Sequence, residues 1–85
     1  MRAAFGKRTQ ADVAAILSLL SEGESGRGEA RRIAHMIAGS AGLFGFAELG
    51  AAAAALEDAL EAGAGESQVS SLAAALGKSL LTISD

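Results

Sequence analysis

Apolar residues recur along this chain at helical spacing in four stretches. In the first, Val13, Ile16, Leu17 and Leu20 fall at i, i+3, i+4 and i+7, one face of a helix. Thr9 precedes the run and Asp12 follows it by three, a capping-box-like start, so the pattern predicts a helix over about 9–22. Phe5 lies before that cap, placed to cover the end of the core. Ser21–Gly28 holds three glycines and two serines and reads as a loop. A second helix, over 29–44, puts Ala30, Ile33, Ala34, Ile37, Ala41 and Phe44 on one face. Gly45 stands where a glycine ends a helix in a left-handed turn.

The third helix, over 46–61, carries Phe46, Leu49, Ala53, Leu56 and Leu60 as its stripe. A connection as short as Gly45 makes the second and third helices an antiparallel hairpin. Ala62–Glu66 is the next break, and Ser67 is placed to cap a fourth helix over 67–83, with Val69, Leu72, Leu76, Leu80 and Ile83 inward. Gly50 and Gly77 fall inside the third and fourth helices, and the pattern gives no reason for either. The expectation is an all-α protein, one antiparallel up-down-up-down four-helix bundle domain over residues 1–85.

Composition agrees with the pattern and removes several classes of function. Alanine and leucine dominate and proline is absent, which favours helix throughout. With no cysteine there is neither a disulfide framework nor a thiolate metal site, which suits a reducing compartment; a cytoplasmic location is expected. A formal net charge of −3 argues against nucleic acid as a partner. No apolar run approaches the roughly 18 residues of a membrane span. Lys7 and Arg8 before Val13–Leu20 echo a signal peptide, but Asp12 opens that run and no small-residue cleavage pattern follows it.

The candidate chemistry lies in His35–Phe46, which opens with the only histidine. Gly39 and Gly42 sit inside the predicted second helix, where each costs about 1 kcal/mol against alanine. At about 100° per residue the apolar face centres between Ile33, Ile37 and Ala41, and His35 points roughly 150° away from it, to solvent. Gly39, Gly42, Ala38, Arg31 and Arg32 share that surface. Bare backbone beside the ring lets another protein approach closely, and the two arginines offer cationic donors to an anion there. Counted from the turn at Gly45, His35 and Glu57 lie about 15 and 18 Å along their helices, nearly level. A carboxylate at that height is placed to accept from Nδ1 and leave Nε2 bare as a nucleophile. One histidine without cysteine provides too few ligands for an ordinary zinc enzyme.

The run His35-Met-Ile-Ala-Gly39-Ser-Ala-Gly42-Leu-Phe-Gly45-Phe-Ala-Glu-Leu49 resembles the signature of histidine-containing phosphotransfer (HPt) domains. Its ending, with Glu57 placed twenty-two residues after His35, is most similar to the phosphoacceptor domains of chemotaxis histidine kinases. The resemblance is sharp over about residues 30–60 and otherwise architectural. It implies that His35 is the phosphoacceptor; the helical register adds Glu57, Arg31 and Arg32 as supporting residues and Gly39, Gly42 and Ala38 as the docking surface. It implies a response-regulator receiver domain and a histidine kinase as partners, no cofactor or metal, and a monomeric carrier without kinase activity of its own. The family's usual lysine three residues after the histidine is replaced here by Ala38. The alternative expectation is a degenerate domain, or another helical-bundle module, that binds a partner without carrying phosphate.

Overall fold

The structure, a computed structural model, describes the backbone of residues 2–81 and the side chains of residues 7–81. The described residues form four helices: α1 (Arg2–Ser21), α2 (Glu24–Phe44), α3 (Ala47–Ala62) and α4 (Glu66–Leu80). They stand antiparallel in a ring, each against its neighbours in chain order, in a bundle measuring 34 × 19 × 18 Å. The α2–α3 contact is the most extensive and the α1–α4 contact the least. The architecture is the all-α four-helix bundle that the periodicity predicts.

The core is one cluster that combines a few large side chains with many alanines. Ile16, Leu49, Leu56 and Leu76 are its largest fully buried apolar members, and Ala30, Ala34, Ala41, Ala53 and Ala73 bring the helix backbones close around them. Three turns among the described residues are set by glycines of positive φ, at Gly23, Gly45 and Gly63, where other residues pay for their Cβ. Gly23 (φ 81°) makes the α1–α2 connection with Glu22 alone. Gly45 (φ 81°) ends α2, with its own N–H donating to Gly42 O and that of Phe46 to Ala41 O, the paired bonds of a Schellman motif.

Several sequence expectations need correction. α1 begins seven residues before Thr9, because Ala3, Ala4 and the absence of proline let the helix continue backwards. Thr9 is therefore no cap: it lies mid-helix and only 2% exposed. The expected packing of Phe5 and Ile83 lies outside the described residues. The loop expected over Ser21–Gly28 shrinks to two residues, since α2 starts at Glu24. Gly26 is not a breaker but a crossing point: a Cβ there would stand 1.9 Å from the Leu19 carbonyl oxygen. α3 and α4 each shift by one residue at the N-terminus, and Gly65, not Ser67, takes the N-cap of α4. Leu17 and Phe44, expected inward, are 50% and 41% exposed. Leu17 borders a recess between α1 and α4, while Phe44 occupies the last turn of α2. Gly50 faces α2, but a Cβ there would sit 3.5 Å from Ala41 Cβ and 3.6 Å from Ala38 O, ordinary contact distances that do not require glycine.

Candidate functional site

The buried phase of α2, fixed by Ala30, Ile33, Ala34, Ile37 and Ala41, turns residue 35 outward. The His35 side chain is 71% exposed. On α3, burial of Ala53, Leu56, Ala59 and Leu60 leaves Glu57 on the flank toward α2, with its side chain 17% exposed. His35 Nδ1 lies 2.8 Å from Glu57 Oε2. A carboxylate accepts and does not donate, so Nδ1–H is the donor, and Nε2 of the neutral ring keeps its lone pair. The helical hairpin thus selects the tautomer.

The two arginines take different places. Arg31 Nη1 stands 4.0 Å from the same Glu57 oxygen, so its cation meets the acid on the Nδ1 side of the ring. Arg32 turns along its own helix, donating from Nε and Nη2 to the Glu29 carboxylate and from Nη1 to Met36 Sδ at 3.4 Å. These hydrogen bonds, with the attraction of the opposite charges, hold the Glu29 carboxyl below its usual range and raise Arg32 above its own. The structure therefore brings His35, Glu57 and Arg31 together and leaves Arg32 in a separate pair.

Beside the ring, Gly39 and Gly42 are exposed, and a Cβ on either would meet nothing within 4 Å. No internal packing requires their bare backbone. Ala38 is half-buried and packs against the core at the α2–α3 seam. Two apolar residues complete the surface that sequence reasoning missed: Met36, 45% exposed, and Leu43, 88% exposed. The signal was available, since both fall well off the apolar face of α2 in a register of about 100° per residue. Among the described residues no three His, Cys, Asp or Glu side chains gather as a metal site, and no helix is long and apolar enough to cross a membrane.

The sequence as a whole has a counterpart among known families. The family model described as Hpt domain matches residues 1–84. The chain belongs to the Hpt domain family. No curated protein and no solved structure matches it significantly. Membership gives this Hpt domain a histidine phosphotransfer role in a phosphorelay, and response regulators and kinases as the proteins it meets. Hpt domains are phosphoryl carriers rather than kinases.

Proposed function

We propose that His35 is the phosphoacceptor of this Hpt domain, exchanging a phosphoryl group with the aspartate of a response-regulator receiver domain. The observation that carries the reading is the 2.8 Å contact of Nδ1 with Glu57 on a ring that is otherwise exposed. The Nε2 lone pair attacks phosphorus; the P–N bond forms as the P–O bond to the receiver's carboxylate breaks, and that carboxylate leaves with the electron pair. The ring becomes cationic while its Nδ1 proton stays in place. Glu57 lies beside the charge that develops, where a fixed carboxylate is most useful. Return of the phosphoryl group reverses each step. Arg31 tethers Glu57, and Gly39 and Gly42 let the receiver approach the ring.

The test is phosphotransfer from a phosphorylated receiver or a histidine kinase, read as acid-labile, base-stable phosphate on the domain. Wild type should label and His35→Gln should not, with unchanged helicity. Residual label on His35→Gln would move the acceptor elsewhere.

One observation favours a second reading, a domain that docks without carrying phosphate. Ala38 provides no ammonium, and both nearby arginines are engaged by carboxylates, Arg31 near Glu57 and Arg32 with Glu29. Receiver binding without any transfer, across a panel of donors, would decide for it.

A further inference from the structure

At the end of the bundle where α1 and α3 finish, a recess of about 790 Å³ opens between α1 and α4. Leu17, Leu20, Val69 and Ala73 form its apolar wall, and Glu24, Glu66 and Arg27, whose Nη1 donates to Ala64 O, close it with the α3–α4 connection. Leu17 is half-exposed there. Leu81, 84% exposed, follows the recess residue Ser70 by three helical turns and so lies on the same flank of α4, toward the other end of the bundle. The face therefore has an apolar recess at one end and an apolar knob at the other.

Charge is divided along the same axis. Glu22, Glu24, Glu61 and Glu66 outnumber Arg27 where α1 and α3 end, and Lys7, Arg8 and Lys78 outnumber Glu48 at the far end. None of Glu22, Glu24, Glu61, Glu66, Lys7 and Lys78 has an ion-pair partner among the described residues. Lys7 and Glu22 are about 22 Å apart along α1, too far to meet within one molecule. A second copy with reversed polarity brings each end opposite its complement.

We propose that a second copy of this chain packs antiparallel on the α1–α4 face, related by a two-fold axis near Ala14 and Ala74. Each copy's Leu81 enters the other's recess, and Lys7 and Lys78 lie beside the other's Glu22 and Glu66. This pairing replaces the expectation of a monomer. A Cβ at Gly77 would meet nothing within 4 Å inside the molecule, so no internal packing requires glycine there. A face 34 Å long and 18 Å wide is on the order of 600 Å² per copy, the low end of specific interfaces, so the dimer dissociates on dilution. His35 and Glu57 lie on the opposite edge and stay open in both copies. The inference goes beyond phosphotransfer and does not depend on it.

Sedimentation equilibrium over micromolar to millimolar concentration tests it. The wild type should show a reversible dimer weakened by salt, and Leu17→Glu or Leu81→Glu should each raise the dissociation constant at least about tenfold. A copy carrying Lys7→Glu and Lys78→Glu should be monomeric, and so should one carrying Glu22→Lys and Glu66→Lys. Mixing the two should restore association, because each then meets its complement. The chain has no cysteine, so Ala74→Cys should form an intermolecular disulfide on oxidation while Ala51→Cys, on the exposed side of α3, should not. Circular dichroism on every variant checks that the helices remain. A monomer at all concentrations, a dimer indifferent to Leu17 and Leu81, or cross-linking through Ala51→Cys in preference to Ala74→Cys would overturn the proposal. Loss of phosphate labelling in His35→Gln would leave all these results unchanged.

Discussion

His35 and Glu57 are 22 residues apart in sequence and 2.8 Å apart in space, and that contact decides which ring nitrogen is free. Replacing Glu57 with Gln keeps an acceptor of the same shape and removes the charge. A hydrogen bond to a charged group contributes about 1.5–3 kcal/mol, so Glu57→Gln should slow phosphoryl uptake by about tenfold or more in single-turnover measurements. An unchanged rate would take Glu57 out of the mechanism. Ala38→Lys, whose stem can run along the α2–α3 seam, should speed transfer several-fold by placing an ammonium near the phosphoryl group. Equal rates would show that the charge is dispensable here. The outward turn of His35 was legible from the phase of Ile33, Ile37 and Ala41, and its level with Glu57 from counting residues on either side of Gly45. The heads of Arg31 and Arg32 were not. Long side chains choose among several carboxylates of similar energy, and helical register does not say that Glu29 takes one arginine while Glu57 draws the other.

Within single helices, glycine has two opposite meanings, and α2 contains both. Gly26 lies against the backbone of Leu19, where a Cβ would stand 1.9 Å from the carbonyl oxygen. Gly26→Ala must push α1 and α2 apart and should destabilise the fold by about 1–3 kcal/mol or more, as overpacking does. Two residues on, Gly28→Ala meets open space in a helix interior and should stabilise by about 0.8–1 kcal/mol. Urea denaturation of the pair reads both signs, and equal shifts would contradict the crossing. Gly39→Leu also meets no internal obstacle, so helicity should hold or rise while transfer to a receiver falls at least about tenfold. Unchanged transfer would remove the docking role. The sequence could not separate these cases: Gly26 and Gly28 sit in one run of glycine and serine that reads as loop, and only the position of α1 tells them apart. The start of α1 was missed for the converse reason, because Thr9 and Asp12 form a plausible cap that nothing upstream obliges the helix to use.

Taken whole, the bundle is a ring of unequal seams. Four amphipathic stripes with short connections suffice to specify that ring, which is why its architecture was readable from periodicity. The gap at Leu17 was not readable, because a helical wheel gives the direction of a side chain but not the distance to the next helix. The extensive α2–α3 contact and the sparse α1–α4 contact have a consequence for the molecule in motion. Opening free energies follow local packing, so at dilutions where the chain is monomeric the amides in the cores of α2 and α3 should exchange with solvent most slowly, and those of α1 and α4 along their shared seam sooner. Hydrogen exchange followed by mass spectrometry or NMR checks the order, and uniform protection in all four helices would refute it. His35 and Glu57 ride on the two helices that open last. Thermal breathing at the far seam can then come and go while the pair stays assembled.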